Sequence, residues 1–388
     1  MEAGKITIKT GPPVEGDDFY GREKKLHYAW ENHISKGVSL LLSAPRRVGK
    51  SSFAKKLLKM AEENGWKTLY LDLQGIGTES DFAKLFKEEI QSTKWWNKPG
   101  NTFLTLLNGI EFKGVSVDSS VWRDDTYRKI KELIEEAGEM LIVIDELTIF
   151  LNHLLKQENG KEKVESFLEW LRKFRQKTGT KARWIFCSSV GIENFASMHQ
   201  LSIHLNDLHP FPIGAFSEEE AKGFISQLDV GNNVQFTEDH IQHILEKLGW
   251  YLPFFIQILV EKIKFLICVE DKPLSNDTID EAYNLLFAGS HFNTWDERLK
   301  DYYELEDNAR EILKLCTLPT GKSRKDLLAN LSKTQISAGM QSNIGKTETV
   351  LAKLLAMLEN DGYLAEHDGK YIFRSPLLRD FWHRRYVK

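Results

Sequence analysis

Along the first 215 or so positions, short apolar runs alternate with longer stretches whose apolar residues recur at helical spacing. Val38–Leu42, Thr68–Leu73, Leu141–Ile144 and Trp184–Cys187 are four such runs. Runs of this kind, separated by helical patterns, predict strands buried on both faces of a parallel sheet in an α/β domain. After the first run, Phe53, Leu57, Met60 and Ala61 fall on one helical face, Lys55, Lys56, Lys59 and Glu62 lie largely off it, and Asn64-Gly65 supply the stop. A second helix is predicted over Lys161–Lys177, with Val164, Phe167, Leu168, Leu171 and Phe174 on its buried face. Between Lys94 and Asp125 the pattern is less regular. Ile110-Glu111-Phe112-Lys113 alternates, Gly114 interrupts, and Val115-Ser116-Val117 resumes in the other phase. That change of phase predicts an extra strand or hairpin with a bulge at Gly114, a decoration of the sheet edge rather than a family-specific contact surface.

Past Phe216 the strand runs stop. Ser217 and Glu220 have the spacing of a capping box, and helical patterns continue to about Leu285. Ile241, Ile244, Leu245 and Leu248 form one stripe, and Pro253 sits where a first helical turn tolerates it. Three helices are then expected over Asp307–Leu318, Ser323–Leu331 and Lys346–Asn360. A hairpin follows, Gly362–Glu366 and Lys370–Phe373 about a turn at His367-Asp368-Gly369, and Leu377–Tyr386 closes the chain as a helix. Three helices and a hairpin make a winged-helix arrangement. The expected organisation is an α/β domain over 1–215, a helical lid over 216–300 and a winged helix over 301–388.

Composition narrows this picture without redirecting it. With 388 residues, 41% hydrophobic and 28% charged, the chain is long enough for two or three globular domains. A net charge of −4 offers no whole-chain attraction to nucleic acid or membrane. Cys187, Cys268 and Cys316 are far apart and odd in number, which argues against a disulfide framework or zinc site and fits a reducing cytoplasm. No basic region followed by an apolar run opens the sequence, and the longest apolar candidate, Tyr251–Val260, is of core-helix length. A cytoplasmic protein with no membrane partner is expected.

The candidate chemistry begins where the first strand meets the first helix. Ala44-Pro45-Arg46-Arg47-Val48-Gly49-Lys50-Ser51 has the pattern GxxxxGK[ST] with Ala44 in the first glycine's place. In a strand–loop–helix context these residues, with Ser52 in the same turn, predict a P-loop NTPase binding ATP and Mg²⁺. Successive backbone N–H groups and the positive helix end surround the phosphates, Lys50 neutralises the β and γ oxygens, and the Ser51 hydroxyl ligates the metal. Downstream, the apolar run Leu141–Ile144 ends in Asp145-Glu146. There Asp145 can hold the Mg²⁺ water shell opposite Ser51, and Glu146 can polarise the attacking water. Trp184–Cys187 ends in Ser188-Ser189, whose hydroxyls can touch the γ-phosphate or the water. Arg46 and Arg47 lie on the outer curve of the loop, suited to salt bridges within the domain, to an acidic neighbouring surface or to nucleic acid.

Together these residues resemble the prokaryotic AAA-like, or archaeal-ATPase, family of STAND P-loop NTPases. Phe19-Tyr20-Gly21-Arg22-Glu23 is similar to the family's hhGRE motif, Pro45–Lys50 to its PRRxGK loop, and Gly249-Trp250-Tyr251-Leu252-Pro253 to its GxP lid element with a wider gap. The resemblance implies that Tyr20 packs on adenine and that Arg22 braces the nucleotide or loop. It further implies that Pro253 approaches the nucleotide from the lid, that Ser188 is a sensor, and that the winged helix acts as a latch.

From Glu306 to Lys388 there are 14 Lys and Arg against 10 Asp and Glu. That balance suits phosphate contact through Lys322, Arg324, Lys325, Arg379, Arg384 and Arg385. The third helix, however, offers only Thr347, Thr349 and Lys353 outside its core positions, which poorly supports base readout. The resulting expectation is a slowly hydrolysing ATP/ADP switch whose nucleotide state controls the winged helix. A protein partner and nucleotide-dependent oligomerisation belong to that reading. Its rival is an initiator- or loader-like AAA+ ATPase gripping double-stranded DNA, and a third reading makes the nucleotide a structural cofactor of a scaffold.

Overall fold

The computed structural model describes residues 6–93, 125–188, 191–337 and 344–387. The bulged strand expected at Gly114 lies outside the described residues, as does Ser189. Packing divides the chain into two compact units, one formed by Arg22–Ala44 and Gly49–Ile213, the other by Met1–Gly21, Pro45–Val48 and Gly214–Lys388.

The first unit is α/β. Its described elements are α1 (Glu23–Asn32), β1 (Leu40–Ser43), α2 (Lys50–Glu63), β2 (Lys67–Asp72), α3 (Glu79–Ser92), α4 (Asp125–Ala137), β3 (Met140–Asp145), α5 (Leu147–Leu155), α6 (Gly160–Arg175), β4 (Ala182–Ser188), α7 (Ile192–His199) and β5 (His209–Pro210). The strands pair in the order β2-β3-β4-β1-β5, all parallel. Each of the four apolar runs read from the sequence overlaps one of these strands. The short β5 was not legible, since two residues carry no alternation and Pro210 removes a donor; its place at the sheet edge tolerates that loss.

Every residue of β3 is buried, as a central parallel strand covered on both faces requires. On one face Leu69, Leu71, Ile142, Ile144, Trp184 and Phe186 share a core with Phe82, Phe86, Phe150, Phe167 and Leu171 of the helices. The alternate residues, among them Leu40, Leu42, Val143, Ile185 and Cys187, are buried on the other face, where α2 lies against β2, β3 and β4. β4 separates β1 from β3, and the register Ser43↔Ser188 brings Ser188 to the edge where β1 enters its loop.

The second unit is mainly helical: α8 (Glu218–Asn232), α9 (Glu238–Leu248), α10 (Pro253–Cys268), α11 (Asn276–Leu285), α12 (Asn293–Glu297), α13 (Glu306–Leu315), α14 (Arg324–Ser337), α15 (Ile344–Asn360) and α16 (Pro376–Tyr386), with strands β6 (Lys322–Ser323), β7 (Leu364–His367) and β8 (Lys370–Phe373). The Ser217 capping box forms as its spacing predicts, Glu220 N–H donating to Ser217 Oγ at 3.1 Å and Ser217 N–H to Glu220 Oε2 at 2.8 Å. Pro253 occupies the first turn of α10. In the hairpin, Asp368 and Gly369 have φ of 50° and 74°, the left-handed pair that a two-residue turn between twisted strands needs. The sequence reading omitted β6, which adds a third antiparallel strand in the order β6-β8-β7. Among the described residues no helix is long and apolar enough to cross a membrane.

Trp295, Tyr363 and Trp382, all fully buried, meet edge-on at 5.3 and 5.6 Å and fasten α12, the hairpin and α16 together. Tyr363 also donates its hydroxyl to the Trp295 carbonyl at 2.6 Å. Truncating Trp382 to alanine is expected to destabilise this unit by about 3–5 kcal/mol, and Tyr363→Phe by about 1 kcal/mol. Denaturant unfolding followed by tryptophan fluorescence checks both values and their order.

Candidate functional site

The loop between β1 and α2 derives its shape from its sequence. Gly49 has φ of 92°, a left-handed conformation that an L side chain adopts only under strain. A Cβ there would also stand 3.3 Å from Nη1 of Arg22. Arg22, read from the sequence as a brace, is 5% exposed and is itself left-handed as it caps α1. Its guanidinium lies beside the loop glycine. Lys50 opens α2, is buried, and turns its ammonium back to donate to the Ala44 carbonyl at 2.6 Å. Ser51 and the buried Ser52 follow in the same turn.

Asp145 ends β3 and is 4% exposed. Its Oδ1 accepts the Glu146 backbone N–H at 2.9 Å, and its Oδ2 accepts the Tyr70 hydroxyl at 2.5 Å. Ser51 hydrogen-bonds the same Tyr70 hydroxyl. Burial, reinforced by Asp145, pushes the Tyr70 phenol far above its ordinary range, so it remains a donor toward that carboxylate. Across the register from Asp145, burial raises Asp72, and the charges of Asp145 and Glu146 add to the rise. Glu146 is left-handed, φ 55°, where it leads into α5; a strained non-glycine at a strand end is a common mark of a functional position.

Ser188 is buried at the end of β4 and shares a short hydrogen bond with Thr148 of α5. Beneath these ends lies the Cys187 thiol, raised by burial and by Asp145, with Lys50 opposing and Glu146 adding to the effect. Thus Lys50, Ser51, Asp145, Glu146 and Ser188 share the C-terminal edge of one sheet. Tyr20, Pro45, Arg46, Arg47, Val48 and Pro253 belong to the helical unit. There Tyr20 lies between Phe216 and Phe224 at 5.8 and 5.2 Å, with its hydroxyl against Gly223. Arg47 stacks 4.2 Å over the Phe254 ring, while burial and then the charge of Arg46 work against its ionised form. Val48 is fully buried and Pro253 half-buried. Sequence reasoning missed Tyr70 and Thr148. The available signal for Tyr70 was period-two alternation, which sets Thr68, Tyr70 and Asp72 opposite Leu69, Leu71 and Leu73.

Residues 8–185 match a family model described as an AAA domain. No curated protein matches the sequence. Among solved structures, the chain is similar to the Walker-type ATPase of Pyrococcus abyssi at 17% identity, with a TM-score of 0.65 over 97% of this chain and 99% of that one. It is also similar to the Aeropyrum pernix ORC2 protein, solved in ADPNP–ADP complexes, at 11% identity, with a TM-score of 0.55 over 95% and 96%. These likenesses are of fold. The sheet order and the loop after β1 are those of an α/β P-loop NTPase fold.

The donors around this loop suit a hard divalent cation. Among the described residues, no group of three or more His, Cys, Asp or Glu is placed to hold a metal. Ser51 and Asp145, however, converge on one phenol oxygen, and Mg²⁺ is ordinarily held by one or two such side chains with phosphate and water completing its shell. Gly49→Ala is expected to lower ATP affinity at least tenfold, because left-handed backbone costs an L residue about 1–2 kcal/mol and the new methyl presses on Arg22. Titration calorimetry with ATP reads this directly.

Proposed function

We propose that this chain is an ATP-binding, slowly hydrolysing STAND-type switch, with an ATPase domain over 1–215, a helical lid over 216–300 and a winged helix over 301–388. The observation that carries the reading is the packing of the loop's outer curve. Gly362, just before the hairpin, has φ of 83°, and a Cβ on it would stand 2.5 Å from Pro45 Cγ and 2.7 Å from the Trp250 ring. With Arg47 over Phe254, the loop is gripped by side chains from α10, the turn before it and the hairpin domain. A change in loop shape on binding phosphate would be felt by all three.

In this reading the loop N–H groups and Lys50 bind the ATP phosphates, the lysine exchanging the Ala44 carbonyl for phosphate oxygen. Mg²⁺ would sit on Ser51 and Asp145, where it supplies positive charge to the transferring phosphoryl group. Glu146 orients and deprotonates the attacking water, and Ser188, backed by Thr148, senses the γ-phosphate. Tyr20 meets the adenine, Arg22 braces the loop and Pro253 closes from the lid. The similar fold of ORC2, solved in ADPNP–ADP complexes, supports an adenine nucleotide, ATP or ADP, as ligand.

The winged-helix domain is read as a protein contact, with nucleotide-dependent self-assembly as part of the same switch. Several of its candidate phosphate-binding cations are engaged internally. Arg384 bonds Asn284 at 2.6 Å and stacks on Phe287, Arg385 bonds Asn293 at 2.9 Å and pairs with Asp296, and Arg379 pairs with Asp380. That engagement disfavours the duplex-DNA reading.

Steady-state turnover with and without duplex DNA tests the proposal. Turnover on the order of 1 per minute or slower, indifferent to DNA, is expected. Glu146→Gln should reduce it at least 100-fold while ATP affinity stays within about threefold, and Lys50→Ala should abolish binding. Strong stimulation by duplex would replace the switch with a DNA-gripping ATPase.

A further inference from the structure

Tyr70 is not required by any step of that scheme, yet its oxygen stands at the scheme's centre. The ring belongs to β2 on the face covered by α2, packed beneath Lys55, whose ammonium lies 5.0 Å from its centroid. A phenylalanine would fill that space. What tyrosine adds is one hydroxyl, donated to Asp145 Oδ2 at 2.5 Å and bonded to Ser51. The result is a chain, Ser51 to Tyr70 to Asp145, joining the two side chains that a bridging Mg²⁺ would need.

Resting on the ATP·Mg²⁺ reading above, we propose that the Tyr70 hydroxyl is a built-in competitor of the divalent cation. In the cation-free protein it satisfies the buried Asp145 carboxylate and restrains Ser51, which would otherwise be left with the cation position empty. Cation binding displaces that hydroxyl. The phenol thus sets the cation concentration at which nucleotide is gripped, and it acts as a positioning residue rather than a catalytic one. A hydrogen bond to a buried carboxylate is strong enough that breaking it would weaken cation binding by about tenfold.

The test is a Mg²⁺ titration of fluorescent ATP-analogue binding to full-length wild-type and Tyr70→Phe protein, with thermal unfolding of each in EDTA. Tyr70→Phe should lower the half-saturating Mg²⁺ about tenfold, leave nucleotide affinity in EDTA within twofold, and lower the melting temperature in EDTA. A purely structural hydroxyl would change the melting temperature without moving the Mg²⁺ midpoint, and that result would overturn the proposal. A raised midpoint would do so too, since it would make the phenol a holder of the cation's ligands. As a second readout, wild-type protein carrying ¹³Cζ-tyrosine should show one resonance, absent in Tyr70→Phe, that shifts with Mg²⁺·nucleotide but not with nucleotide in EDTA. If wild-type protein binds no nucleotide at all, the ATP reading itself fails, a result distinct from an unmoved midpoint.

Discussion

A strand buried on both faces has no room for a carboxylate except at its end. β3 meets that constraint, with Met140 to Ile144 apolar and Asp145 as its last residue. Parallel neighbours align their own ends beside it, so polar groups that the sheet interior rejects collect along one edge. Asp72 of β2, Asp145 of β3 and Ser188 of β4 reach that edge for the same reason, Tyr70 extends its hydroxyl to Asp145 from two residues before the end of β2, and α2 brings Lys50 and Ser51 there by packing on the same sheet face as Tyr70. The edge is therefore a consequence of core packing, and its chemistry follows from which polar side chains the strand ends carry.

The polar groups along the edge are densely satisfied by one another. Lys50 rests on a backbone carbonyl, Asp145 on a phenol and a backbone N–H, and Ser188 on Thr148. Buried polar groups left without partners carry a large desolvation cost, and these internal bonds remove it. In the proposed nucleotide site each such bond is exchanged when ligand binds, and the cost of that exchange becomes part of the affinity. On the proposed ATP·Mg²⁺ reading, Lys50 stands in for a phosphate contact and Tyr70 for a cation contact.

The loop residues themselves are divided in their packing. Ala44 and Gly49 belong to the α/β unit, while Pro45 to Val48 pack with the helical unit, through Phe254, Trp250 and Gly362. Arg47 meets an aromatic face, the Phe254 ring. A half-buried guanidinium loses hydration, and a ring supplies attraction without a second ion to desolvate.

Much of this was legible before any coordinates. Strong periodicity gave away the four long strands and the α2 and α6 helices, because burial on one or both faces leaves a repeating mark in the sequence. The loop, the Asp145-Glu146 pair and the Ser217 cap were equally readable, since each is a short contiguous pattern tied to local geometry. β5 and β6 were not, because two-residue strands owe their existence to a neighbour's free edge rather than to their own residues. Tyr70 and Thr148 escaped for a related reason. Their roles arise from partners 75 and 40 positions away, and no local pattern distinguishes a tyrosine that touches Asp145 from one that merely fills a core. Local propensity and hydrophobic period determined which elements form and where the phosphate loop lies. Only tertiary packing, which juxtaposes groups remote in sequence, decided that the Tyr70 hydroxyl meets Asp145 and the Thr148 hydroxyl meets Ser188.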